Sequence, residues 1–186
     1  GRRKPEIFAP GLSIESANSS APCDWISKTG TSMACPGVSA GGALARQYYM
    51  EGWYPSGTPV PGDAFTPSAA LIKAMLVNSG TSIEFDAMGE PDVLPSIKQG
   101  WGRILLDDAL YFPGDDPRLW VADVADRFDT PGDTEVHQVL VLDGAEPLRV
   151  VLNWTDYPSN PAASIRARSL SAVRYSAVLL SILGQT

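Results

Sequence analysis

Gly30-Thr31-Ser32-Met33-Ala34-Cys35-Pro36-Gly37-Val38-Ser39-Ala40-Gly41 sets a serine on a glycine-threonine turn directly ahead of a run of small residues. The run has helical spacing, with Val38, Gly41, Ala45 and Tyr48 falling on one face. Gly37, Ala40, Gly41, Gly42 and Ala43 remove the side chains that would hold a neighbour away. Each interior glycine costs a helix about 1 kcal/mol relative to alanine. A cluster of them therefore predicts close burial, or backbone brought near a ligand, to offset the loss. A serine at the N-terminus of such a helix lies beside backbone N–H groups that lack an intrahelical acceptor and can meet a developing oxyanion. Ser32 is accordingly the candidate nucleophile.

Outward from this stretch, composition bounds what the chain can be. A length of 186 residues with 44% hydrophobic content suffices for one sizeable core or two small ones. The net charge of −7 argues against nucleic acid or an anionic membrane as a partner. No apolar run reaches the length of a membrane span, and no charged-then-apolar leader opens the chain. No cofactor motif is present, so no cofactor is expected.

On the N-terminal side, Pro10 to Thr31 is rich in Ser, Ala, Asn and Gly and shows no sustained period. It reads as a long loop with at most a short strand at Ser13-Ile14-Glu15-Ser16. On the C-terminal side, four prolines and three glycines between Gly52 and Pro67 separate two helices by a surface connection. Thr66 is the expected cap of the second helix, with Pro67 at its first position and Gly80 closing it. Ile72, Met75, Leu76 and Ser79 mark its expected inner face. From Trp101 the texture changes. Three β-rich runs, Leu119 to Val124, Glu135 to Asp143 and Leu148 to Thr155, are separated by Pro/Gly/Asp turns, which predicts a sheet and a domain boundary near Tyr111 to Pro117.

The paired acids Asp107/Asp108 and Asp115/Asp116 have the carboxylate density that calcium favours, but no ligand-spaced loop surrounds them. They are expected to be solvated turn residues, with no metal bound. Residues Ala162 to Thr186 hold three arginines and five serines without one acid, in an otherwise acidic chain. A tail of this kind would follow from a change of reading frame or a truncation after about Ala163. Ile165 to Leu183 is compatible with a helix, or with a strand through Tyr175-Ser176-Ala177-Val178-Leu179-Leu180 that docks on the sheet. Cys23 and Cys35 are either a disulfide closing the loop before the serine or two separate thiols.

The serine stretch resembles the nucleophile motif of the subtilisin-like serine proteases: Gly-Thr-Ser-Met-Ala, a small residue, Pro, then a small-residue helix. Cys35 in the small slot is similar to the plant branch. Four further stretches match in order. Gly1-Arg2-Arg3-Lys4-Pro5-Glu6-Ile7-Phe8-Ala9-Pro10-Gly11 looks like the segment leading to the serine, and Thr66-Pro67 with Leu71 to Gly80 looks like the penultimate helix. Gly100-Trp101-Gly102-Arg103-Ile104 and Leu148 to Asp156 look like the branch that carries a β-sandwich after the catalytic domain. The resemblance covers roughly Gly1 to Pro158. It implies that Cys35 is small and buried, which favours two separate thiols, that the Pro10–Thr31 loop lines a substrate cleft, and that the protein is extracellular. Subtilisins order their triad acid, base, serine, with acid and base on the order of 150 to 190 residues before the serine. Only thirty-one residues precede Ser32 here and none is histidine, so the family's Asp, His and oxyanion-hole Asn have no matching positions.

These readings combine into an α+β expectation. Residues 1–112 form a helical C-terminal remnant of a subtilisin-like α/β domain, 113–161 a partial jelly roll or antiparallel β-sandwich, and 162–186 an atypical tail. A serine hydroxyl needs an adjacent base that a third group orients. His137 is the only histidine; alternation places it on one strand face with Glu135 and Val139. It is either an ordinary strand histidine or a rebuilt base for Ser32, with Glu135 or Asp156 as orienter, and Lys28 is a further candidate base. Three functions follow: a peptidase active only with the missing half, which is either a separate chain or absent from this stretch of sequence; a standalone serine esterase; or a non-catalytic β-rich interaction module. Polypeptide or ester is the expected substrate. Open strand edges and the small-residue helix face predict a homo-oligomer.

Overall fold

The computed structural model describes residues 4–83, 93–115, 119–124, 136, 138, 148–156 and 173–182, with the backbone alone for Val124, Thr155, Asp156 and 173–182. His137, Glu135, Asp116 and the tail 157–172 lie outside the described residues. In chain order come strands β1 (Ile14–Ala17) and β2 (Trp25–Lys28), helices α1 (Thr31–Met50) and α2 (Ala69–Asn78), and short strands β3 (Gly80–Thr81) and β4 (Arg103–Ile104). Strands β5 (Leu119–Val124), β6 (Leu148–Asp156) and β7 (Val173–Ile182) follow.

Helix α1 buries Gly41, Ala45, Tyr48 and Tyr49, so the face anticipated from Val38, Gly41, Ala45 and Tyr48 is the inner face over its C-terminal half. The glycines serve close approach. A Cβ on Gly42 would stand 3.6 Å from Ile72 and 3.8 Å from Leu76, so α1 and α2 touch there, and the Ile104 side chain occupies the space beside Gly41. At the end of the helix Gly52 takes a φ of 72°, and its carbonyl accepts from Val60 N–H at 3.0 Å, turning the chain back over the aromatic end of α1. Tyr48, Tyr49, Trp53, Phe65 and Phe112 meet at ring separations of 5.1 to 6.4 Å. Ala70, Leu71, Ala74, Met75, Ala109 and Val151 complete the core with Ala45, Tyr48 and Tyr49.

Three local expectations are corrected. The α2 cap is Ser68, not Thr66: Ser68 Oγ accepts from Leu71 N–H at 3.0 Å, and the helix starts at Ala69. Of the inner face expected for α2, Met75 and Ser79 are buried, but Ile72 and Leu76 are only partly buried against α1, and Ala70, Leu71, Ala74 and Asn78 complete the buried face. The short strand expected near Ser13–Ser16 is present at Ile14–Ala17, but the rest of 10–31 is not all loop: Trp25–Lys28 pairs with it as an antiparallel hairpin, with Ile14 opposite Lys28 and Ala17 opposite Trp25. The hairpin tip is closed by Asn18 and Asp24 through a backbone bond of 3.0 Å and a side-chain bond of 2.7 Å. These polar closures carry a hairpin that has almost no buried face, which periodicity could not reveal.

The C-terminal sheet has the order β5-β7-β6, all antiparallel, so the last of the described strands is the central one. Of the two conformations open to the tail, 173–182 takes the strand. The sheet lies on α2, with β6 and β7 both packed against that helix and Val151 entering the same core as Leu71 and Met75. The run Glu135 to Asp143 lies outside the described residues apart from Val136 and Gln138.

Candidate active site around Ser32

Ser32 is the second residue of α1 and is exposed. The turn ahead of it is a glycine turn in the strict sense. Gly30 has φ 157° and ψ 168°, a region essentially closed to residues with a Cβ. Its carbonyl accepts from Met33 N–H at 3.0 Å, while the Ser32 N–H belongs to the first helical turn, where intrahelical acceptors run out. Pro36 inside α1 has no N–H to return to the Ser32 carbonyl, which opens the backbone at the candidate nucleophile itself.

A second segment pins this turn. Gly30 N–H donates to the Gly11 carbonyl at 2.8 Å, and Ser13 N–H donates to Thr29 Oγ1 at 2.9 Å. Gly11 sits so close that a Cβ there would meet the Gly30 oxygen at 2.7 Å and the Ala34 Cβ at 3.2 Å. One turn further along α1, a Cβ on Gly37 would contact Ala9 at 3.3 Å. The Ala9-Pro10-Gly11 segment thus crosses the start of the helix. It is held in turn by β4: Phe8 pairs in parallel with Arg103, donating to the Gly102 carbonyl and accepting from Ile104 N–H, both at 2.9 Å. Strand β4 pairs with β3 on its other side. Glu6 receives Lys4 and Lys73 at 2.7 Å each. Burial would raise its carboxyl pKa, but the two ammonium groups outweigh that and hold it below the usual value.

The segments that the sequence singled out one by one therefore meet in space. Residues 5–11, 30–41, the end of α2 and 100–104 form one connected support under Ser32. The pinning role of Gly11 was missed by sequence reading; Pro10-Gly11 signals a turn but not its partner.

The candidate bases fare differently. His137 and Glu135 lie outside the described residues, and Asp156 is described only as the backbone end of β6. Lys28 is the exposed last residue of β2, and among the described residues no side chain hydrogen-bonds the Ser32 hydroxyl. Cys23 and Cys35 are free thiols. Cys35 was expected to be buried and is exposed, because nothing among the described residues covers that side of the first turns of α1. Among the described residues no group of three acids, histidines or cysteines could hold a metal. Asp115 instead accepts from Phe112 N–H at 2.7 Å, closing its own turn. Burial, reinforced by Asp107, raises the pKa of Asp108. Among the described residues no helix is long and apolar enough to cross a membrane.

Comparison with known proteins agrees with this arrangement. The chain is 30% identical over 137 residues to the serine protease/ABC transporter B family protein tagD of Dictyostelium discoideum, covering 60% of this chain and 8% of that protein. To tagA of the same organism, which carries the same family description, it is 28% identical over 186 residues, covering 88% of this chain and 10% of that protein. The chain therefore spans about a tenth of the length of these curated relatives. The subtilase family model matches residues 1–102, the stretch that contains Ser32, Gly11, Gly30 and both helices and ends just before β4. With more than half of its length matched in this way, the chain belongs to the subtilase family.

Proposed function

We propose that Ser32 is the nucleophile of a subtilisin-like serine peptidase whose acid, base and side-chain oxyanion donor come from polypeptide outside these 186 residues. In this reading Ser32 Oγ attacks the scissile carbonyl while the family's histidine takes its proton. The Ser32 backbone N–H is one donor to the tetrahedral oxyanion, and collapse releases the amine, which leaves with that proton. Water then repeats the sequence on the acyl-enzyme and frees Ser32. The observation that carries the reading is the exposed Ser32 on a turn held by the 2.8 Å bond from Gly30 N–H to the Gly11 carbonyl. The great length of the serine-protease relatives beside this chain supports a base supplied from elsewhere.

Loss of a single oxyanion donor costs about 3 to 4 kcal/mol of transition-state stabilisation, and a triad lacking one member retains only about 10³- to 10⁴-fold catalysis over water. The 186 residues by themselves are therefore expected to react slowly or not at all with a fluorophosphonate probe. Adding the family's Asp/His-bearing part, either as preceding sequence or as a separate chain, should produce labelling that disappears in Ser32→Ala. Labelling that persists in Ser32→Ala would overturn the assignment. Rapid labelling of the 186 residues alone, lost in both Ser32→Ala and His137→Ala, would move the reading to a standalone esterase.

The same reading makes β5-β7-β6 one layer of an appended β-sandwich. Supporting this, Leu148, Val150, Leu152 and Trp154 alternate along β6 and are all exposed, while Arg149, Val151 and Asn153 between them face α2. A second sheet layer requires an apolar face of that kind. An extracellular location is part of the proposal and follows from the family resemblance.

A further inference from the structure

The C-terminal sheet touches the peptidase segment through side chains that bond to the backbone of α2. Asp123 of β5 receives Ser68 N–H at 2.7 Å and Ser68 Oγ at 2.6 Å, at the start of the helix. Asn153 of β6 donates to the Ala70 carbonyl at 2.9 Å. Arg149 of β6 donates to the carbonyls of Asn78, at the helix end, and of Gly80, the latter at 3.3 Å. A carboxylate at the N-terminus and a guanidinium at the C-terminus complement the helix dipole at both ends.

Arg149 differs from the other two in what lies beyond it. The carbonyls that it holds bracket Ser79, whose own carbonyl accepts Leu105 N–H at 3.0 Å, and Gly80 is half of β3. Strand β3 pairs with β4, β4 with Phe8, and the segment after Phe8 ends at Gly11, the acceptor of Gly30 N–H. The geometry points to Arg149 as a positioning residue for the Ser32 turn, acting from the appended sheet through the α2 end, β3, β4 and the Phe8–Gly11 segment. This rests on the reading of Ser32 as the nucleophile. It adds that the nucleophile's geometry depends on a side chain outside the region that the family model covers. Asn153 bonds the same helix near its start, away from β3. It supplies a control of the same sheet-docking kind without the connection to Ser32.

The test is amide hydrogen exchange on the 186-residue chain, read at the Gly30, Phe8 and Ile104 N–H groups, in wild type, Arg149→Met, Arg149→Lys and Asn153→Ala. Loss of hydrogen bonds to a charged group predicts that Arg149→Met speeds exchange at all three amides by about tenfold or more. Tyr48 and Tyr49, in the distal half of α1, keep their protection. Arg149→Lys restores part of the protection. Asn153→Ala, even where it lowers the denaturation midpoint as much, leaves Gly30 unchanged. Unaltered exchange at Gly30 in Arg149→Met would overturn the proposal, and so would equal loss in Asn153→Ala. If Arg149→Met does not fold, the Lys variant decides: partial loss at Gly30, Phe8 and Ile104 supports the coupling, and uniform loss along the chain defeats it. Exchange requires no turnover. A failure of Ser32 to label in the probe experiment is therefore a separate result and leaves this one readable.

Discussion

At the residue scale, Tyr48 and Tyr49 show how neighbours of the same type can have opposite energetics. Tyr48 OH donates to the Tyr111 carbonyl at 2.8 Å, and burial pushes its pKa up to about 12. Tyr49 OH is fully buried and has no hydrogen-bond partner among the described residues; burial raises its pKa well above the ordinary value. An unsatisfied buried hydroxyl costs about 1 to 3 kcal/mol, whereas a made bond contributes about 1 kcal/mol. Tyr49→Phe is therefore expected to leave stability unchanged or raise it, and Tyr48→Phe to lower it by about 1 kcal/mol, as read from urea midpoints. A Tyr49→Phe variant less stable than Tyr48→Phe would show that a water fills the role of partner at Tyr49. Neither outcome was legible beforehand, because spacing places both tyrosines on α1 but says nothing of which carbonyl each can reach.

At the element scale, α2 is short, ten residues, and too short to be stable alone in water. Its ends are fixed by groups from two sources: its own Ser68, and Asp123 and Arg149 of the sheet. Ser68 Oγ both accepts from Leu71 N–H and donates to Asp123, so Ser68→Ala removes a cap and a charge-assisted bond together. The expected cost is about 2 kcal/mol, measured as a lower urea midpoint at unchanged m-value. Thr66→Ala, the substitution that the sequence reading would have chosen, should be nearly silent. Sequence reading takes Thr66 as the cap because Pro67 suits the first helical position after it, whereas with Ser68 as the cap Pro67 lies ahead of the helix, which begins at Ala69. What decided was Asp123, 55 positions away, which holds Ser68 at the helix start.

At the scale of the whole molecule, apolar surface is left open on α1, on the hairpin and on β6. Leu44 and Met50 of α1, Trp25 and Ile26 of the hairpin, and Leu148, Val150, Leu152 and Trp154 of β6 are all exposed. Apolar surface on this scale predicts self-association of the 186-residue chain. Sedimentation should show the weight-average mass rising through the micromolar range, and Val150→Lys with Trp154→Lys should return it toward the monomer; a monomer at every concentration would count against the expectation. What the sequence determined by itself was local. Helical spacing set the inner face of α1 at Gly41, Ala45 and Tyr48, and β-rich runs between turns placed β5 at Leu119–Val124 and the start of β6 at Leu148. The ordered motifs around Ser32 identified the family. Each of these signals is carried by residues within a turn or two of one another. Only the tertiary structure decided that Gly11 pins Gly30, that Arg149 grips carbonyls 69 and 71 positions away, that the last of the described strands is central in its sheet, and that Cys35 is bare. Those facts depend on which distant backbone groups a side chain or strand edge can reach once the chain is folded, and no periodicity or cap signal encodes that reach.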